Sequence, residues 1–159
     1  MKYKRFEDLP VWRESIELAV RTFALTATPC FRGHAGTRNQ MENAVVSISN
    51  NIAEGFERGT TNELLNFLYI SRGSAGETRS MYCLIERLPE FGDFKFEISD
   101  LKLKAESISR QLRAWADSLQ NTDIRGPRYL TDKSRMADER RREREEFLAE
   151  LEQIRNRKK

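Results

Sequence analysis

The sequence predicts an all-α fold, an antiparallel up-and-down four-helix bundle with a charged helical extension behind it. Three observations carry this. Apolar residues recur at three- and four-residue steps in four separate runs, the spacing that gathers them on one face of a helix. Gly and Pro punctuate the chain between those runs. No stretch alternates apolar and polar with period two for long enough to make a strand.

The first helix is expected after Asp8, a good N-cap, with Pro10 tolerated in its first turn. Trp12, Ile16, Ala19, Val20 and Phe23 recur at helical spacing along it as its apolar face. "TATPCFRGHAGT" ends it, with Pro29, Gly33 and Gly36 marking a loop. Thr37 and Gln40 have the form of a capping box that opens the second helix, and Gly55 and Gly59 bracket that helix's end. Thr60 with Glu63 forms another box, so a short turn leads into an antiparallel third helix. This helix carries Leu64, Phe67, Leu68, Ser71, Ala75, Thr78, Met81, Tyr82, Ile85 and Leu88, and stops near Pro89 and Gly92. In the fourth, Leu101, Ala105, Ile108, Leu112, Trp115 and Leu119 are spaced 4-3-4-3-4, the seam of a bundle helix.

Residues 1–121 are thus assigned to the bundle, 122–131 to a linker broken by Gly126 and Pro127, and 132–159 to the extension. There Asp138–Arg142, Arg141–Glu145 and Arg142–Glu146 sit at salt-bridge spacing on a helix. Phe147, Leu148, Leu151 and Ile154 follow as a short apolar stripe suited to docking, for instance on a neighbouring subunit.

Composition narrows the function classes. A chain of 159 residues with 33% charged side chains reads as about one soluble domain. No apolar run approaches the roughly 18 residues of a membrane span, and no signal peptide is apparent. Cys30 and Cys83 have no Cys–His spacing around them, so free thiols of a cytoplasmic protein are expected, with no metal and no cofactor. The net charge of +3 permits a polyanionic partner without demanding one. His34, the sole histidine, lacks a partner at fixed spacing, and a di-metal carboxylate bundle would require Glu-x-x-His motifs. Glu54 and Glu77 are the one carboxylate pair that could share an interior. "SRGSAGE" lacks the strand, the Lys and the spacing of a phosphate loop or nucleophile elbow. No residue is assigned a catalytic role, and a non-enzyme is expected.

The segments "FEDLPVW" and "AVVSISNNIAEGFERGTTNELLNFLYISRGSAGE", with the helical run after them, resemble the four-helix-bundle family of 23S rRNA-intervening-sequence proteins. That family resembles in turn the accessory variability determinant protein of diversity-generating retroelements. The resemblance covers roughly residues 5–120. It implies a homopentamer of up-and-down bundles around a central channel, binding to RNA or DNA, and no known catalytic chemistry. In the retroelement relatives the ring partners a reverse transcriptase and its template RNA. The chain departs from the family at "QMENA", where many members carry an Arg pair, in the loop "TPCFRGHAGT", and in the charged extension.

Two sets of residues become candidate sites. Met41, Val45, Ile48, Ile52 and Phe56 make one stripe of the second helix facing the core. Asn43, Ser47, Asn50, Asn51 and Glu54 make another, suited to a helix or subunit contact because buried amides demand partners. Gly73 and Gly76 would join that contact, since glycines inside a helix cost roughly 1 kcal/mol each unless another backbone comes close. The second set is basic: Lys2, Lys4 and Arg5 at the N-terminus, Arg72 and Arg79 on the third helix, Arg110 and Arg113 on the fourth. Phosphate contacts from such residues give affinity that falls with salt and reads little sequence. The competing expectation is a symmetric protein-interaction scaffold that touches no nucleic acid.

Overall fold

The computed structural model describes residues 3–121, together with 140, 144, 147 and 148. The chain divides into two units, Met1–Gly126 and Pro127–Lys159. The expected linker 122–131 and most of the extension 132–159 lie outside the described residues; Arg140, Arg144, Phe147 and Leu148 are helical and exposed.

Four long helices make the first unit: α1 (Pro10–Thr26), α2 (Ala35–Glu57), α3 (Thr61–Ile85) and α4 (Lys95–Gln120). The described residues contain no strand. Short 3-10 segments precede α1 (Phe6–Asp8), join α1 to α2 (Pro29–Phe31) and join α3 to α4 (Pro89–Phe94). Each helix packs on its chain neighbours, and α4 closes back on α1. Side-chain bonds fix every pairing as antiparallel. Thr26 at the end of α1 donates to Glu42 near the start of α2 (2.6 Å), and Ser71 of α3 donates to the Ile48 carbonyl (2.8 Å). Tyr69 and Arg79 of α3 and Glu86 at its C-cap meet Gln120, Glu106 and Lys102 of α4 in reverse order. Glu14, Glu17 and Arg21 of α1 likewise meet Gln111, Lys104 and Glu97.

The expected faces of α2, α3 and α4 point inward. Met41, Val45, Ile48, Ile52, Phe56, Leu64, Leu68, Tyr82, Ile85, Leu101, Ile108 and Leu112 are all at most 1% exposed. The α1 face matches only in part: Ala19 is buried and Trp12 packs against the core, but the rest is turned. Val11, Ser15, Leu18, Thr22 and Leu25 are buried, whereas Ile16, Val20 and Phe23 are 36%, 64% and 44% exposed. The register is turned because small hydroxyl residues occupy the core stripe. Ser15 and Thr22 satisfy their hydroxyls on the Val11 and Leu18 carbonyls one turn back, both at 2.7 Å, which removes most of the cost of burying them. Thr22 also shares a hydrogen bond of 2.5 Å with the Tyr82 hydroxyl. Burial pushes the Tyr82 phenol up to about 12, the bond to Thr22 opposing that only in part.

Helix starts were read less well than helix faces. Asp8 does not cap α1; Leu9 does, without a side-chain bond, and Asp8 instead accepts from Arg13. Pro10 stands at the first helical position, where its missing N–H loses nothing. Thr37 and Gln40 form no box, because α2 begins earlier, after His34. At Thr60 half of the expected box is present: its hydroxyl accepts from the Glu63 N–H (3.2 Å), while the Glu63 carboxylate accepts from that hydroxyl (2.8 Å) rather than from the Thr60 N–H. Gly55 and Gly59 bracket the end of α2 at Glu57, as expected, and Gly55 in the last turn is also a contact. A Cβ there would stand 2.6 Å from the Cβ of Phe67 and 3.2 Å from Leu64 Cδ1, so the α2–α3 approach requires glycine. At the opposite end of the bundle, Phe31 packs edge-on against Phe91 at 4.9 Å, and His34 Nε2 lies 2.7 Å from Glu90 Oε1.

Candidate nucleic-acid interface

The basic residues named from sequence divide into two places. Lys2 lies outside the described residues; Lys4 and Arg5 are exposed just before α1, and Arg5 is held by Glu7 at 2.6 Å. Hydrogen bonding to Arg5 holds the Glu7 carboxyl below its ordinary range. Near this end Tyr3, Leu9, Pro10, Val11, Gln111 and Trp115 line an apolar cavity of about 230 Å³.

The other four arginines belong to the α3–α4 side. The pairs Tyr69–Gln120, Arg79–Glu106 and Glu86–Lys102 set the register of these helices. With that register, Arg72 faces the α4 turn that carries Arg113, and Gly76 faces the turn that carries Arg110. Arg79 reaches Glu106 only at 3.6 Å, and Arg113 reaches Asp117 only at 3.6 Å. Neither half-buried Arg72 nor exposed Arg110 takes an acidic partner among the described residues. Elsewhere on α4 the pairing is closer. Lys102 bonds both oxygens of Glu86 at 2.6 and 2.7 Å, and that bond holds the Glu86 carboxyl below its ordinary range.

Gly73 and Gly76 sit on this side as well. Both are exposed, and nothing lies within 4 Å of where their Cβ would be, so no helix among the described residues approaches them. The expected close approach at these positions is therefore corrected within the subunit; it occurs at Gly55.

The polar stripe of α2 is partly bonded and partly open. Ser47 meets Ser74 of α3 at 2.9 Å, and Asn51 donates to the Ser47 carbonyl (2.7 Å) and hydroxyl (2.9 Å). Asn43, Asn50 and Glu54 are exposed. All five line an open cleft of about 480 Å³, which Phe23, Glu42 and Val46 complete. Glu54 does not share an interior with Glu77: both are exposed, and Glu54 accepts from Arg58 at 2.5 Å. His34, read as partnerless, bonds Glu90, which no fixed spacing could have signalled. Among the described residues, no group of three or more His, Cys, Asp or Glu could hold a metal ion, and no helix is long and apolar enough to cross a membrane.

Sequence reasoning missed two features here. The exposed row Ile16, Val20 and Phe23 was read as core. Tyr69, 42% exposed and anchored through its hydroxyl by Gln120, was not singled out; only the α3–α4 register reveals its setting among arginines.

A family model described as 23S rRNA-intervening sequence protein matches residues 7–114. In solved structures the fold recurs in a protein of unknown function from the S23 ribosomal protein family of Bacteroides thetaiotaomicron VPI-5482. That likeness has a TM-score of 0.59 at 21% identity, over 67% of this chain and 97% of the other. Among curated proteins none matches. The chain belongs to the 23S rRNA-intervening sequence protein family.

Proposed function

We propose that this chain forms a homo-oligomer, with five subunits as the expected number, that binds RNA or DNA through its phosphates. It acts as a non-catalytic cytoplasmic accessory to another protein, with a reverse transcriptase as one candidate partner. The observation that supports nucleic-acid binding best is the α3–α4 arginine group, with Arg72 and Arg110 unpaired among the described residues and Arg79 and Arg113 held at 3.6 Å. A loosely held surface cation loses little when it moves to a phosphate, and each phosphate contact releases counterions. Self-association is supported by Ile16, Val20 and Phe23, an exposed apolar row beside the α2 cleft. Such a patch on a soluble chain marks an interaction site. In this arrangement Ser47, Asn50, Asn51 and Glu54 meet a neighbouring subunit, and the side bearing Gly73 and Gly76 stays open for the nucleic acid.

Light scattering of the full chain with added RNA, at low and high salt, tests the reading. An oligomer that binds RNA at low salt and releases it as salt rises is expected, with the Arg72→Glu/Arg110→Glu variant binding weakly. An oligomer indifferent to RNA and DNA at low salt overturns it. That outcome would favour a protein-interaction scaffold, a reading supported by how many other cations are already paired: Arg13 with Asp8, Arg21 with Glu97 and Asp100, Arg38 with Glu42, and Lys104 with Glu17.

A further inference from the structure

We infer that the α3–α4 side takes a single-stranded nucleic acid, with Tyr69 as a stacking platform for a base and Arg72, Arg110 and Arg113 as its phosphate contacts. The inference rests on the nucleic-acid reading above and narrows its partner.

An aromatic ring that stays 42% exposed on a helix surface normally has rotational freedom. Here the Gln120 amide donates to the Tyr69 hydroxyl at 2.7 Å and fixes the ring at the rim of α4. Tyr69 is thereby pre-set rather than ordered on binding, which lowers the entropy lost when a base stacks on it. Arg72 follows it by three positions, on the side of α3 that turns toward α4. Arg113 and Arg110 lie across from Arg72 and Gly76 in the register set by the Tyr69, Arg79 and Glu86 contacts. Glu106 and Asp117, each 3.6 Å from its arginine, and exposed Glu77 beside Gly76 are the carboxylates of the same stretch; they offset part of the attraction for a phosphate, which leaves Arg72 and Arg110 as the principal contacts.

Gly73, one turn beyond Tyr69, and Gly76 beyond it have open space above them. They leave the backbone level beside the ring, where a longer side chain would hold a base away. A duplex offers phosphates to such a surface but keeps its base faces stacked inside. A single strand offers both, and every base has a face to stack, so the surface would read little sequence.

The test is fluorescence anisotropy of the full chain at low salt. The probes are a labelled mixed-sequence single-stranded RNA and the same sequence as a duplex, with wild type, Tyr69→Ala and Tyr69→Trp compared. The inference expects tighter binding of the single strand, about tenfold loss of it in Tyr69→Ala, recovery in Tyr69→Trp, and little change for the duplex. Helical content checked alongside excludes loss by unfolding, since Tyr69 is not a core residue. Equal affinity for both probes with Tyr69→Ala unchanged overturns the inference and leaves the nucleic-acid reading in place. Binding of neither probe overturns both.

Discussion

Two seams of the same bundle are closed by opposite means. Between α2 and α3 the contacts come from small residues: Gly55 under Phe67, Ser71 on the Ile48 carbonyl, Ser47 against Ser74. Between α1 and α4 they come from long polar side chains at the rim: Arg21 with Glu97 and Asp100, Lys104 with Glu17, Gln111 with Glu14. A seam of small residues lets two backbones close up and fixes their distance. A seam of long side chains bridges whatever distance the core leaves. The first should tolerate almost no added volume, the second almost any single loss.

Gly55→Val presses hardest on this contrast. It places atoms inside the contact with Phe67 and Leu64 and should cost about 2–3 kcal/mol through overpacking, read as a lower midpoint in urea unfolding. Unchanged stability would mean that the α2–α3 distance is adjustable and the contrast false. Tyr82→Phe should cost about 1 kcal/mol by removing the bond to Thr22. It should also alter the alkaline limb. With a folded value near 12 and an unfolded one near 10, the unfolded chain loses its phenolic proton first. Wild-type stability should therefore fall as pH rises through that window, and the Phe variant should lack this contribution.

Gly73→Ala and Gly76→Ala should each raise stability by about 0.5–1 kcal/mol, since the space above them is open and alanine favours the helix. Destabilisation, or a change of mass in solution, would instead place a neighbouring subunit on that side. The smallest effect belongs to the α1–α4 seam. Arg21→Gln should cost under about 1 kcal/mol, and the loss should shrink as salt is raised.

The faces of α2, α3 and α4 were legible because their core positions carry large apolar residues at regular spacing, as from Met41 to Phe56 and from Leu101 to Leu112. In α1 the same rule pointed to Trp12 and Ala19, which pack in or against the core, but also to Ile16, Val20 and Phe23, which the fold leaves outside. Ser15 and Thr22 count as polar in a sequence, yet a hydroxyl bonded to a carbonyl one turn back behaves in the core as a small apolar group. The cap at Thr60 was visible because both its partners are local; His34 with Glu90 was not, because they are 56 positions apart. Glycines are equally ambiguous in one dimension. Gly55 marks the end of α2 and proved to be a contact as well, while Gly73 and Gly76 looked like contacts and proved open among the described residues. For the candidate interface, the arginines were identifiable by type. Which of them lacked a counter-charge was not, since Arg79 and Glu106 meet only after α3 and α4 align.

The connection from Arg58 to Thr60 joins helices of 23 and 25 residues. Bringing the ends of so short a link together costs little chain entropy, and the cap at Thr60 restarts the helix at once. The α2–α3 hairpin is therefore the part of the molecule that can assemble from nearby residues. The α1–α4 seam must instead bring together residues 76 to 97 positions apart. During synthesis α1, α2 and α3 emerge before α4, so the hairpin stands ready as a template while the core stripe of α1 awaits its last neighbour. Residual protection in pulse-labelled hydrogen exchange should appear first in α2 and α3, with α4 and the Leu18 side of α1 following together.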